Sequence, residues 1–183
     1  MLFPILPGSI FWPEQIVQLA FSLRNRSFTV LIASLVDKNP VKRLEIVADA
    51  AGLCQSVGMN LSLTMLSGVT RSEVKERILQ CDSVALASTH EGWPNIIKES
   101  MILGRPFVST AVSDLAHWAG PATQNHIVNP TALDFALAWV DQIAAIELQN
   151  NNMNPALAKF HPDVCALKHE LLYRAVSYNK TEV

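Results

Sequence analysis

Apolar and polar positions follow two rhythms along this chain, and the rhythm switches many times. Residues 28–35, Phe-Thr-Val-Leu-Ile-Ala-Ser-Leu, form a continuous apolar run rich in β-branched side chains. That is how a strand buried on both faces reads. Ser83 to Ala87 and Pro106 to Ser109 repeat the pattern, Met59 to Leu66 alternates less cleanly, and His126 to Val128 is a short fifth candidate. Between these runs the apolar residues recur at helical spacing. Leu44, Val47, Ala48 and Ala51 predict the inner face of a helix from Val41 to Val57, ended by Gly58. Thr70-Arg71-Ser72-Glu73 has the spacing of a capping box and opens a helix to Gln80 that buries Val74 and Ile78, with Val69 placed to staple against Val74. Pro13 to Leu23 predicts an earlier helix with Ile16, Val17 and Ala20 on one face. Thr131 is expected to cap a helix to Ile146 that turns Leu133, Leu137, Val140 and Ala144 inward. The asparagine-rich stretch Gln149 to Asn154 reads as a loop, and His161-Pro162 begins a final helix through Leu167, Leu171 and Tyr178.

Strands that alternate with helices predict an α/β fold: a doubly wound, mostly parallel, Rossmann-like sheet with helices on both faces. Ligands of such sheets bind at the carboxyl ends of the strands. Two charged loops stand there, Asp37 to Lys42 after the first strand and Ser88 to Asn95 after the third.

Composition narrows the partners. The chain has 183 residues, enough for one domain with a real core, and half of them are apolar while 16% are charged. Such a balance fits a sheet covered on both sides and a surface meant to meet another domain. A net charge of −2 gives no case for nucleic acid. Cys54, Cys81 and Cys165 are widely spaced and odd in number, which makes neither a metal pattern nor a disulfide framework and suggests a reducing cytoplasm. Residues 1–13 are apolar but broken by prolines, and read as an extended linker ahead of a domain over 14–183. The expected location is the cytoplasm, with contact at the inner membrane face left open. No G-x-G-x-x-G, P-loop or G-x-S-x-G motif occurs.

The chemistry concentrates in Glu91-Gly92-Trp93-Pro94-Asn95-Ile96-Ile97-Lys98-Glu99 and the Gly104-Arg105-Pro106 that follows. Pro94 suits the first position of a helix and Gly104 the left-handed residue that closes one. The free amides at the start of that helix can bind an anion. Glu99 could accept hydrogen bonds from sugar hydroxyls. Lys38, Lys42 and Arg43 follow the first strand; Lys42, and secondarily Lys38, suit a phosphate, while Arg43 reads as a solvated helix start. His90 could reach a sugar or serve no ligand. His117 and Trp118 could wall the same pocket, with Trp118 read as a packing residue.

Ser88 through Thr110 resembles the donor-site signature of retaining GT-B glycosyltransferases of the family 4 type, S-x-x-E-G-x-P-x-x-x-x-E-A-M-A-x-G-x-P-V-V-x-T. Asp37 to Lys42 resembles the loop where that family keeps a phosphate-binding lysine, and Phe160 to Arg174 its closing helix. The resemblance implies one half of a GT-B architecture, the donor-binding one, and a transferase incomplete or inactive as this chain alone. It implies that Glu91 contacts the donor sugar and Lys42 neutralises the diphosphate, the two catalytic positions. Glu99 would hold the ribose, and Gly92, Trp93, Pro94, Asn95 and Ile96 would face the distal phosphate and sugar. No metal or resident cofactor is expected. The partners implied are a UDP-, GDP- or ADP-sugar, an acceptor glycan or lipid-linked glycan, and an N-terminal acceptor domain or partner chain, as in polysaccharide biosynthesis. The sequence departs from the family in three places. The usual Gly-Arg pair is not evident in the stretch Ser34-Leu35-Val36-Asp37, with Lys38 a possible substitute for the arginine. Ser100 and Ile102 replace two alanines, and Ser113-Asp114 replaces a Gly-Gly. The other reading is a non-catalytic nucleotide-binding or protein-interaction module that keeps the fold.

Overall fold

The apolar runs become the inner strands of a parallel sheet, because only a sheet covered on both faces keeps consecutive apolar residues dry. A computed structural model describes residues 23–32, 40–120, 123–150 and 161–178. Its strands are β1 (Phe28–Ile32), β2 (Leu61–Met65), β3 (Ser83–Leu86), β4 (Phe107–Thr110) and β5 (His126–Val128). All pair in parallel in the order β2-β1-β3-β4-β5. The register sets Val30 beside Leu63 on one side and Ser83 on the other, and Ala85 beside Val108. Every residue of β3 and β4 is buried, Ser83 and Ser109 included. The helices are α1 (Leu44–Ser56), α2 (Arg71–Gln80), α3 (Asn95–Ile102), α4 (Ala132–Asn150) and α5 (Pro162–Tyr178), with a 3-10 turn at Leu115–Trp118.

Alternate side chains of the inner strands feed two cores. Phe28, Val30, Ile32, Ala85 and Val108 pack under α1, α4 and α5. Leu31, Val84, Leu86 and Phe107 pack under α2, α3 and the 3-10 turn. The sheet is thus the doubly wound one the sequence predicts. From β1 the chain steps outward through α1 to β2. It then returns through α2 to pair β3 on the other side of β1, and continues outward to β4 and β5. The direction of winding reverses between β1 and β3, and this switch point is where doubly wound sheets open a crevice at their carboxyl ends.

Several expectations need correction. The first strand is described to Ile32, and residues 33–39, Lys38 among them, lie outside the described residues. So does all of the predicted Pro13–Leu23 helix except Leu23. The first described helix starts at Leu44 rather than Val41, because Arg43 takes a left-handed conformation (φ 44°) that interrupts helical geometry. Its buried residues are Val47, Ala50, Ala51 and Cys54, and Ala48 is exposed. Pro94 is the N-cap of α3 and not its first residue, since its ψ of 115° is extended. α4 runs on to Asn150, through the start of the expected loop. Leu133 and Leu137 are only partly buried on it, whereas Val140 and Ala144 are fully buried as expected, along with Phe135, Ala136, Trp139 and Gln142. The capping box of α2 forms as expected: the Glu73 amide donates to Thr70 Oγ1, and the Thr70 amide donates to the Glu73 carboxylate at 2.6 Å.

Candidate functional site

Two segments meet at the switch point, the described end of the first charged loop and the loop after β3. After β1 the chain re-enters at a turn over residues 40–42 and reaches the left-handed Arg43. After β3 it leaves the sheet at Ala87 and runs to Pro94. The Thr89 amide donates to the Val41 carbonyl at 2.9 Å, which ties the two loops backbone to backbone. Arg43 closes the joint: its Nε donates to the Ala87 carbonyl at 2.8 Å and its Nη2 to the Ser88 carbonyl at 3.0 Å. Its guanidinium is therefore internal bracing and not a solvated helix start. β4 joins the brace through Thr110 Oγ1, which donates to the same Ser88 carbonyl at 2.6 Å.

This bracing positions Lys42 and Glu91. Lys42 Nζ donates to Glu91 Oε1 in an ion pair across the two loops, and Ser88 Oγ donates to the same oxygen at 2.8 Å. Both charges are largely sheltered, with side-chain exposures of 26% and 19%. Burial alone would push the Glu91 carboxyl up. The hydrogen bonds from Lys42 and Ser88, with the charges of Lys42 and His90, outweigh it and hold Glu91 below its usual range. Ser88 is a site residue that the sequence reading left within the motif without a role; its position directly after a buried strand was the available signal.

The helix that follows begins with open amides. Ile97 and Lys98 donate their amides to the Pro94 carbonyl at 3.1 and 3.3 Å. Asn95 and Ile96 stand ahead of the helix's own bonds, as the first N–H groups of a helix must. Gly92 just before them is exposed, and a Cβ built there would meet nothing within 4 Å. Its φ is outside the left-handed range, so nothing in the described fold demands glycine there. Glu99 follows on α3, half-buried, with no hydrogen bond or ion pair from its carboxylate to the described residues. The far end of α3 closes in a Schellman motif: Gly104 (φ 69°) donates to the Met101 carbonyl at 3.1 Å and Arg105 to the Ser100 carbonyl at 2.8 Å. Ser100, one of the departures from the alanine pattern, is fully buried with its hydroxyl bonded to the Ile97 carbonyl at 2.8 Å. Ser113, another departure, takes the left-handed backbone that glycine favours (φ 53°).

Trp93 and Trp118 meet edge to face, with ring centroids 6.4 Å apart, and Lys98 Nζ lies 5.7 Å from the Trp93 centroid. Trp118 is half exposed, so it is not the packing residue expected. His90 is exposed and shares a 3.1 Å hydrogen bond with Thr89 Oγ1, and His117 is exposed beside the Asp114 carbonyl. The structure thus brings Lys42, Ser88, Glu91 and the Gly92–Ile96 segment together, with Glu99 on the adjoining helix. A separate cleft of about 360 Å³ opens between β5 and α4, lined by Ala111, Asn129, Asp134 and Asp141 among others, and holds none of these residues. Among the described residues no group of three or more His, Cys, Asp or Glu lies together as a metal site would require, and no helix is long and apolar enough to cross a membrane.

No family model and no curated protein matches this chain. Solved structures do resemble it. The Anabaena protein Alr3699/HepE, crystallised with UDP-glucose, superposes with a TM-score of 0.52 at 18% identity, over 90% of this chain and 53% of its own. The pneumococcal O-GlcNAc transferase GtfA, in complex with UDP and GlcNAc, gives 0.47 at 15% identity over 84% of this chain and 35% of its own. TarM gives 0.38 at 17% identity over 78% and 32%. At these identities the likeness establishes the fold alone, and only the first superposition is close enough to argue from. This chain spans about half the length of HepE. Its fold is the Rossmann-like one expected of one half of a GT-B architecture.

Proposed function

We propose that this chain is the donor-nucleotide domain of a glycosyltransferase. It binds a nucleoside diphosphate sugar and completes its reaction with an acceptor domain or partner chain, passing the sugar with retention to a glycan or lipid-linked acceptor. The observation that carries the reading is the joint at the switch point: Lys42, Ser88 and Glu91 bonded together directly ahead of the open amino end of α3.

Each part of the joint matches a part of the ligand. The diphosphate takes the Lys42 ammonium and the first amides of α3, a point charge and a helix end that both favour an anion. Glu99, without a described partner, is available to the ribose hydroxyls. Glu91 is ionised and reaches the sugar hydroxyls. In the reaction the bond from the anomeric carbon to the diphosphate oxygen breaks with its electron pair on the leaving diphosphate, and the acceptor hydroxyl oxygen forms the new bond as its proton passes to that diphosphate. Lys42 and the helix end are pre-placed for the charge that develops, which supports transfer without a resident metal or cofactor. The outer face of α5 leaves Leu172, Tyr173 and Val176 exposed, which supports a covering domain or partner in the complete enzyme.

Calorimetric titration of the chain with UDP, GDP and ADP tests the proposal. One nucleotide should bind, and Lys42→Ala and Glu99→Ala should each abolish or greatly weaken that binding. Binding of none of the three by the folded chain would sink the reading and favour an interaction module.

A further inference from the structure

Trp118 packs one edge against Trp93 and leaves half of its surface in water. Trp139, by contrast, is wholly buried in the core, while Trp118 stands 50% exposed on the turn after β4. Leaving a large aromatic face in water forgoes about 25 cal/mol for each Å² of apolar area. That favours a partner for the face. We infer that Trp93 and Trp118 form a saccharide subsite, in which the exposed Trp118 ring stacks on the C–H face of the sugar carried by the diphosphate. The inference rests on the donor-domain reading and adds to it the group that recognises the sugar.

Three observations place the sugar there. The pair bridges the loops after β3 and β4, and the first of these is the loop that carries Glu91 at the switch point. Trp93 is fixed in that bridge. Lys98 lies over its ring, Trp118 meets it edge to face, and its backbone runs straight into the Pro94 cap of α3. The amides proposed to hold the distal phosphate therefore begin two residues after Trp93, and a sugar is one bond beyond that phosphate. Finally, the polar groups on the same loop suit the rest of a pyranose. A sugar ring has a hydroxyl-bearing rim and apolar C–H faces. Ser88 and Glu91 can serve the rim, and an indole serves a face. The ring of a nucleobase would also stack on indole, but the base lies beyond the ribose, at the end of the ligand assigned to Glu99.

The test compares each nucleotide with its sugar conjugate on the full chain: UDP with UDP-glucose, GDP with GDP-mannose, ADP with ADP-glucose. The wild type should bind one conjugate more tightly than its parent nucleotide. Trp118→Ala should keep the parent's affinity and lose the margin, a drop of roughly two- to tenfold for the conjugate. Trp118→Phe should keep much of it. Thermal unfolding of both variants by circular dichroism guards against misfolding. As a second readout, wild-type tryptophan emission should change more with the conjugate than with the parent, and the excess should vanish in Trp118→Phe if Trp118 is the reporter. Equal losses for parent and conjugate in Trp118→Ala would mean base stacking or a structural role, and no loss would mean no contact; either overturns the subsite. A wild type that binds nucleotides without preferring any conjugate also overturns the subsite but leaves the donor-domain reading standing. A wild type that binds neither overturns both.

Discussion

Lys42 and Glu91, 49 residues apart in sequence, close an ion pair across the switch point of the sheet, and a hydroxyl from Ser88 shares the acceptor oxygen. The Lys42 cation proposed for the diphosphate is thus already engaged. A ligand must share Lys42 with Glu91 or displace it. The pairing also explains how two loops with opposite charges stay sheltered without a ligand, since an unpaired buried charge is costly.

Replacing Glu91 by Gln removes the competitor and keeps the shape. Parent nucleotide should then bind more tightly, by about two- to fivefold, because a partly exposed ion pair contributes about 1 kcal/mol or less. The tightening should fade as salt is raised. The sugar conjugate should lose its advantage over the parent, since the carboxylate that takes its hydroxyls is gone. Calorimetry with UDP, GDP and ADP and their conjugates at low and moderate salt measures all three effects. Weaker parent binding in Glu91→Gln would show that Glu91 orients Lys42 for the phosphate and does not compete for it.

Stability should fall in two stages as the solution is acidified. Burial lowers the pKa of His161, with the nearby Asp163 carboxylate opposing, and the imidazole Nδ1 accepts the Asp163 amide at 3.3 Å. A folded His with a lowered pKa binds fewer protons than the unfolded chain does. Its contribution is complete above the unfolded value of about 6.5 and is lost as the pH falls from there toward the folded value. His126, lowered by burial against the pull of Asp141, works in the same direction. Glu91 enters lower down. Its folded pKa is depressed, so its contribution is present above the unfolded value of about 4.3 and is lost as the pH falls through the folded one. Urea unfolding between about pH 2 and 8 should show the first decline just below about 6.5 and the second below about 4.3. His161→Asn, which keeps a capping acceptor, should flatten part of that decline and leave the Glu91 stage intact. An unchanged profile in that variant would mean His161 titrates normally.

Thiol labelling should divide the cysteines. Burial pushes the thiols of Cys54 and Cys81 up to about 12 and about 11, while Cys165 is exposed. At pH 8 an iodoacetamide-type reagent should modify Cys165 quickly and the other two only as the chain unfolds, since the thiolate is the reactive form. Rapid labelling of Cys54 in the native protein would contradict the packing of α1 on the sheet.

The inner strands, the capping box of α2 and the closing glycine of α3 are legible in the sequence because each depends on residues near in the chain. A run such as Val84-Ala85-Leu86 has few stable places except a covered sheet. Thr70 and Glu73 satisfy each other locally. What was not legible depends on neighbours distant in sequence. Ala48 and Ala50 fit a helical face about equally well on paper, and the sheet decides between them. α4 deviates most, with Gln142 and Glu147 buried beside Trp139 and Ile143, because the sheet, α1 and α5 enclose it on several sides and a one-faced pattern cannot describe it. The Gln142 Nε2 donates to the Gln124 and Phe107 carbonyls, from the loop before β5 and the start of β4. In the site, the signature residues and Lys42 were legible by resemblance. Arg43 was misread because its carbonyl partners Ala87 and Ser88 come from the next strand but one.

Two glycines flank α3, and the fold needs only one of them. Gly104 sits at φ 69° in the Schellman closure, where a side chain is strained whatever the space around it. Gly104→Ala should cost about 1 kcal/mol, a drop of 2–4 °C in Tm for a chain of this size, and should leave nucleotide affinity nearly unchanged because the strain falls at the end of α3 away from the proposed phosphate. Gly92 has neither the strained backbone nor a neighbour within 4 Å of a would-be Cβ. Gly92→Ala should therefore leave stability within about 0.5 kcal/mol, as surface substitutions do. If the open space above Gly92 is where the phosphate and sugar approach, the added methyl should weaken the sugar conjugate several-fold, and Gly92→Val should weaken it further. Melting curves and titrations on the two alanine variants therefore give opposite patterns, stability without affinity for one and affinity without stability for the other. A Gly92→Ala chain that binds as the wild type does would move the ligand away from this turn and leave Lys42 and Glu91 as a structural clasp.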